Sequence, residues 1–121
     1  MTNHHRKGSM WRHKVELWLS DAGFVTTVRG IGYQGDDLLG ILPGNHAGIS
    51  IAAGPPLRLS IEAKNHRDIR LSSFVDQAVV QANSYEDSTL PLAVIHRPGR
   101  AEVDDAYAVM PGWAFIELVT R

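Results

Sequence analysis

The chain of 121 residues contains no cysteine, so no disulfide can stabilise it, and a reducing cytoplasm is the expected compartment. Its longest apolar stretches, at 38–43 and 91–95, fall far short of the roughly 20 residues that cross a bilayer. The polar and basic segment 1–14 lacks the apolar run of a secretory signal. We therefore expect a cytoplasmic protein with no membrane partner.

The chain also lacks a strong net charge, a repeat and any low-complexity segment. Its formal charge is -1, so the whole-molecule field gives no reason to expect nucleic acid. The distribution is uneven, however, because residues 1–35 carry five basic side chains and two acidic ones. With 44% hydrophobic residues, the length predicts one globular domain at 9–121, preceded by a flexible basic tail at 1–8.

The first half of the chain predicts a helix and three strands. Apolar residues recur with helical spacing over 9–22, and Gly23 follows where a helix would end. Strands are predicted at 24–28 and 37–42, which form a hairpin. The segment 57–64 alternates apolar and polar residues throughout, which is typical of a strand with one face in water.

The second half predicts a helix and a buried strand. Ser73 resembles an N-cap for a helix that runs to about Glu86, and 90–95 is apolar enough to be the central strand. A last strand is predicted at 106–110, and 112–119 fits either a helix or a strand. The order α-β-β-β-α-β-β-α predicts an α/β fold, a small mixed sheet flanked by helices.

Three charged residues can converge in this arrangement. Glu62 and Lys64 leave the same face of their strand, and antiparallel pairing of 36–42 with 57–64 brings Asp37 alongside Glu62. Adjacent carboxylates repel unless a cation lies between them, and an oxygen-rich site suits Mg²⁺ or Mn²⁺. Such an ion promotes phosphodiester hydrolysis, with Lys64 placed to orient the bound water or to neutralise developing charge. A lone Glu-x-Lys triplet is more often an exposed ion pair, so the acid on the preceding strand is what favours a site.

These motifs resemble the PD-(D/E)XK nucleases, and within them the archaeal and phage Holliday-junction resolvases. The resemblance covers nearly the whole chain and implies a restriction-endonuclease-like α-β-β-β-α-β core. Its motifs are Lys7-Gly8-Ser9, Gly23-Phe24, Asp37-Leu38-Leu39-Gly40 and Glu62-Ala63-Lys64. It implies that Asp37, Glu62 and the Ala63 carbonyl hold the metal and that Lys64 is the catalytic partner. Asp36 is the alternative to Asp37.

The sequence departs from the resolvase pattern in the first helix. The position where these enzymes carry an acid is Arg12, and the helix has its only glutamate one turn later, at Glu16. Glu16 lies on the same helix face as Arg12 and is therefore a candidate second metal ligand and catalytic residue. An exposed glutamate beside Arg12 or His13 is the alternative interpretation. Gln77, on the following helix, matches a polar position that often points at the active site in these nucleases.

Basic residues follow the strands that carry or neighbour the site. Contacts with phosphates there would hold a DNA duplex, and the basic amino-terminal region would contact a second arm of branched DNA. An ordinary soluble surface has the same composition. The candidate DNA-binding residues are Lys7, Arg12, Lys14, Arg67, Arg70, Arg97 and Arg100. The six histidines lack ligand spacing on a regular element, so zinc is not expected.

The sequence thus favours a Mg²⁺-dependent DNA endonuclease that resolves four-way junctions in a bacterial, archaeal or phage-infected cell. Two symmetric cuts need two active sites, which predicts a homodimer. Its apolar surface would come from Trp113, Phe115 and Ile116 or from Trp11, and either set also fits a core. The alternatives are a general or structure-specific nicking or trimming nuclease of a phage or mobile element, and a catalytically silent DNA-binding module. Glu62 is expected to face solvent, so that Glu62→Ala would leave the fold intact.

Overall fold

The computed structural model describes residues 3–28, 37–44 and 55–120, and the side chains of 3–9 and of Asp37 lie outside the described part. In chain order the elements are α1 (Asn3–Asp21), β1 (Val25–Val28), β2 (Asp37–Leu42), β3 (Leu57–Lys64), α2 (Leu71–Asn83), β4 (Leu90–Ile95), a 3₁₀ turn (Val103–Asp105), β5 (Tyr107–Val109) and α3 (Gly112–Val119). Apart from the 3₁₀ turn, this is the predicted order, and the segment that fitted a helix or a strand is a helix.

The strands form one mixed sheet in the order β1-β2-β3-β4-β5. The pairs β1–β2, β2–β3 and β4–β5 are antiparallel, whereas β3 and β4 are parallel because α2 connects them. The predicted α/β fold with a small mixed sheet and flanking helices is confirmed. The prediction that 90–95 is the central strand is wrong, since β3 holds that place and β4 lies between β3 and β5.

The apolar stripe of α1 covers one face of the sheet. Trp11, Val15 and Leu19 are buried against Ile61 and other apolar residues of β3 and β4. Burial of each such side chain stabilises the fold by about 1.5–3 kcal/mol. The Trp11 indole also donates a hydrogen bond to the Val94 carbonyl (3.2 Å), so Trp11 belongs to the core and not to a dimer surface.

The end of α1 fixes the path into the sheet. Gly23 adopts a positive φ of 100°, the conformation that ends a helix in the Schellman motif. The Gly23 amide donates to the Ser20 carbonyl and the Phe24 amide to the Leu19 carbonyl, both at 3.0 Å. Helix α1 begins at Asn3, upstream of the predicted Ser9, because the polar residues before Ser9 carry no apolar periodicity by which sequence could locate a start.

Helix α2 covers the other face of the sheet. Phe74, Ala78 and Ala82 are its buried residues, and Phe74 packs with Ala93 and Ile95 of β4. The expectation of a Ser73 cap is wrong, since the chain is already helical at Leu71 and Arg70 holds the N-cap position without a side-chain hydrogen bond. The helix ends at Asn83, before the predicted Glu86.

The carboxyl-terminal helix α3 presents apolar side chains to solvent. Ala114 is its buried residue, whereas Trp113, Phe115 and Ile116 are each more than half exposed, at 54%, 52% and 57%. Of the two surfaces considered for dimerisation, α3 is therefore the accessible one. No helix in the described part of the chain has the length and apolar character needed to cross a membrane.

Candidate active site

The register of β2 on β3 brings the two predicted acids together. Asp37 is the Cα partner of Glu62, as antiparallel pairing of 36–42 with 57–64 predicted, and Leu38 is the partner of Ile61. Directly opposed residues of an antiparallel pair occupy the same face of a sheet. The predicted cross-strand pair is confirmed at the level of the backbone, while the Asp37 side chain and all of Asp36 lie outside the described residues.

The backbone hydrogen bonds of β3 orient the Ala63 carbonyl. The His96 amide donates to the Lys64 carbonyl at 2.8 Å, so the backbone groups of Lys64 face β4. Because successive residues of a strand turn their backbone groups to opposite neighbours, those of Ala63 face β2. The Ala63 carbonyl therefore lies on the side of β3 where Asp37 begins the neighbouring strand.

Glu62 and Lys64 form a buried ion pair. The Lys64 Nζ atom lies 3.5 Å from Glu62 Oε2, and the two side chains are 3% and 2% exposed. The predicted wet face of β3 is therefore wrong, as is the expectation that Glu62 faces solvent: Ser60, Glu62 and Lys64 are all buried, because α2 packs over them. Removing such charges from water costs several kcal/mol per ion, which distinguishes this pair from an ordinary surface ion pair.

An aromatic side chain of α2 completes the surroundings of Lys64. The Nζ atom lies 5.5 Å from the centroid of the Phe74 ring, within the range of a cation–π contact. The His66 ring lies on the same phenylalanine, with centroids 5.0 Å apart and planes tilted by 44°. The sequence identified Phe74 only as part of the apolar stripe of α2, because helical spacing does not show which polar strand residue an aromatic ring meets.

A cavity of about 460 Å³ lies between Glu62 and the polar side of α2. Gln77 lines it, so the structure brings this predicted site residue together with Glu62. The Gln77 Oε1 atom is buried and has no hydrogen-bond partner among the described residues. The other lining residues, which sequence reasoning did not single out, are Ser73, Asp76, Val80 and Gln81.

The structure places Glu16 beside Arg12. Arg12 Nε lies 3.6 Å from Glu16 Oε1 across one helical turn, and the two side chains are 23% and 24% exposed. Helix α1 packs on the face of β3 opposite Glu62, because its apolar stripe contacts Ile61. Within the described ranges, no three His, Asp or Glu side chains lie close enough together to hold a metal ion. Glu16 is thus not part of a described metal cluster.

The donor chemistry still suits a hard cation at the β2–β3 pair. A buried carboxylate at Glu62, an aspartate opposite it in register and a backbone carbonyl on the β2 side are all oxygen ligands, which Mg²⁺ and Mn²⁺ prefer. Asp37, Glu62 and Ala63 are therefore the residues that would hold a metal.

Most of the predicted phosphate-binding residues gather at one edge of the sheet. Because β3 and β4 are parallel, the loops that follow them, 65–70 and 96–102, leave the same edge at which Lys64 ends β3. The Lys14 ammonium reaches this edge and donates to the Ala101 carbonyl at 3.2 Å. The arginines on the two loops are Arg67, Arg70, Arg97 and Arg100.

The loop arginines differ in how tightly they are held. Arg67, Arg70 and Arg100 are exposed, whereas Arg97 is half-buried over the Tyr107 ring, 5.8 Å from its centroid. Asp68 and Glu102 lie on the same loops, so the edge is basic without being purely cationic. The Lys7 side chain lies outside the described residues, and Arg12 is engaged with Glu16.

Comparison with known proteins gives no relative for this chain. No family model matches it, and neither the curated proteins nor the solved structures contain a significant match.

Proposed function

We propose that this chain is a Mg²⁺-dependent endodeoxyribonuclease that is also active with Mn²⁺ in place of Mg²⁺. The observation that carries the proposal is the register of Asp37 on Glu62, combined with the buried Glu62–Lys64 pair on the same strand. Two acids and a lysine at the end of adjacent strands are the groups that phosphodiester hydrolysis needs. The element order α-β-β-β-α-β supports a PD-(D/E)XK nuclease core.

The burial of the pair supports a role in chemistry more than one in stability. Apolar residues of similar volume often replace a buried ion pair with no loss of stability, so folding alone does not explain why β3 carries these charges. A dry site instead strengthens the interaction of a fixed charge with a reacting group. Glu62 and Lys64 are both buried, and Glu62 also lines the adjacent cavity.

Each residue of the proposed site has a separate task. Asp37, Glu62 and the Ala63 carbonyl would hold the metal, which when bound would polarise the scissile phosphate and lower the pKa of a coordinated water. The Lys64 ammonium neutralises the charge that develops on the phosphate. Gln77 lines the same cavity as Glu62 and supplies an amide to substrate or to ordered water.

The substrate we propose is a DNA four-way junction, cut by a homodimer in the cytoplasm. The basic edge formed by loops 65–70 and 96–102 supports binding to phosphates of a DNA backbone. The exposed apolar side chains of α3 support association of two copies, which would supply the two active sites that symmetric cutting requires. The Arg12–Glu16 pair favours a second candidate, a silent DNA-binding module, because a basic residue stands where a nuclease would carry a third acid.

The test is a cleavage assay with three labelled DNAs: a four-way junction, a plain duplex and a single strand, each with Mg²⁺ or Mn²⁺. Wild type is compared with Glu62→Gln, which keeps the volume of the side chain, and with Glu86→Gln, the same change at an exposed position. Below the unfolding transition of the variant, which leaves Lys64 buried without the Glu62 carboxylate, we expect Glu62→Gln to lower the rate by about 10²–10³-fold, as for loss of one transition-state contact, and Glu86→Gln to leave it unchanged.

The three DNAs separate the candidate functions. Paired symmetric nicks in the junction alone support a resolvase. Cutting of all three DNAs supports a general nuclease and contradicts the choice of substrate. DNA binding without cleavage, or equal cleavage by wild type and Glu62→Gln, contradicts the proposed active site; binding without cleavage favours the silent module.

A further inference from the structure

Phe74 contacts the charged end of β3 and the loop that follows it. The centroid of its ring lies 5.5 Å from Lys64 Nζ and 5.0 Å from the centroid of the His66 ring. Phe74 is 4% exposed and packs with Ala93 and Ile95, so its position is fixed by the interior of the protein. The ring is thus a rigid surface against which two side chains at the site are placed.

Lys64 contacts the Glu62 carboxylate and the Phe74 ring, and only the carboxylate would also bind a metal. Glu62 Oε2 lies 3.5 Å from the ammonium, but in the proposed function this carboxylate is also a metal ligand. The face of an aromatic ring attracts a cation without binding a hard metal ion. Phe74 therefore supplies a contact that holds the ammonium and does not compete for the metal.

His66 lies against the same ring and is itself exposed. It follows Lys64 by two residues, where the chain leaves β3. A buried ammonium, an aromatic ring and an exposed imidazole therefore follow one another from the interior towards solvent.

We infer that Phe74 is a positioning residue, whose ring fixes the Lys64 ammonium for the reaction. The effect on rate depends on the proposed nuclease function, whereas the placement of Lys64 does not. Loss of the ring should lower the rate at saturating DNA and metal while binding of DNA stays the same, because the ammonium keeps its charge and loses its position.

The kinetic test compares Phe74→Met, which removes the ring, with Phe74→Tyr, which retains it. Val75→Ala is the matched control, since Val75 packs against the same cluster. Single-turnover cleavage with saturating Mg²⁺ is expected to fall about tenfold in Phe74→Met. It should stay within twofold of wild type in Phe74→Tyr and Val75→Ala, and DNA affinity measured with Ca²⁺ should not change. Equal rates for the Met and Tyr variants would overturn the inference.

A spectroscopic test needs no cleavage and no variant that folds poorly. In protein labelled with ¹³C-lysine, the Lys64 side-chain signals of wild type, assigned with Lys64→Arg, should be shifted upfield by the ring. Signals at the position of an exposed lysine would overturn the inference even if the nuclease proposal holds. If wild type cleaves no DNA with either metal, the proposed function fails, while an upfield shift still supports the placement of Lys64 by Phe74.

Discussion

The two faces of β3 are both buried, yet one is apolar and the other is charged. Leu59, Ile61 and Ala63 pack under the stripe of α1, whereas Ser60, Glu62 and Lys64 lie under α2. One eight-residue strand therefore carries an ordinary core on one side and an ion pair on the other. Burial of the apolar face is favourable by itself, while burial of the charged face must be offset by contacts with partners.

The two faces therefore have different roles: the apolar face stabilises the fold, and the charged face positions the ion pair. The α1 face, with Ile61 fully buried, stabilises the protein through apolar contact. The α2 face keeps Glu62 and Lys64 3.5 Å apart beside a cavity and a phenylalanine. Substitutions on the α1 face are therefore expected to reduce stability and leave activity unchanged. On the α2 face, a second substitution can restore the stability that a first one removes, but it cannot restore activity.

The largest effect is expected when one member of the pair is removed. Lys64→Met leaves the Glu62 carboxylate buried without the ammonium, which should lower the free energy of unfolding by about 3–5 kcal/mol. Urea denaturation followed by circular dichroism measures this. A loss below about 1 kcal/mol would mean that the pair behaves like an exposed one, and the contrast between the faces would disappear.

A large loss of stability is also expected from a substitution on the apolar face. Ile61→Ala creates a cavity under α1 and should lower the free energy of unfolding by about 2–5 kcal/mol. Its cleavage rate, measured below the unfolding transition, should remain close to wild type because Ile61 faces away from Glu62. A folded variant that has lost cleavage would show that the two faces are not independent.

Replacing both charges should restore stability. In Glu62→Leu combined with Lys64→Met, the α2 face becomes apolar like the α1 face, and the double variant should be as stable as wild type or more stable by about 1–4 kcal/mol. Denaturation of the two single variants and the double variant gives the coupling between the sites. Additive losses would contradict the assignment of a mutually compensating pair.

The smallest effect is expected on α1. Glu16→Gln removes a partly exposed pair across one helical turn, so the free energy of unfolding should fall by only about 0.3–0.5 kcal/mol. The Mg²⁺ concentration for half-maximal cleavage should not change. A rise of tenfold or more would make Glu16 a metal ligand and would extend the site to the first helix.

The arrangement of β2 and β3 could be predicted from the sequence because local pattern determines it. The alternation in 57–64 sets which residues share a face, and antiparallel pairing of 36–42 with 57–64 places Asp37 opposite Glu62. The glycine at position 23 has a positive φ and ends α1 as its place after the apolar stripe predicted.

The burial of Glu62 and Lys64 could not be predicted in the same way. The sequence pattern of an alternating strand is the same whether water or a helix covers its polar side. How closely α2 packs on that side depends on contacts between residues distant in sequence. The contact of Phe74 with Lys64 was missed for this reason as well. The Arg12–Glu16 pair was among the alternatives, because residues four apart on a helix are neighbours.

Cleavage of the four-way junction by the Glu62→Leu, Lys64→Met double variant shows whether the charged face of β3 takes part in the reaction. This protein is expected to fold as stably as wild type, so lost activity cannot be attributed to unfolding. We expect a rate lower than wild type by at least about 10²-fold with Mg²⁺ or Mn²⁺. A stable double variant that cleaves at the wild-type rate would contradict this expectation, because the charged face of β3 would then have no part in the reaction.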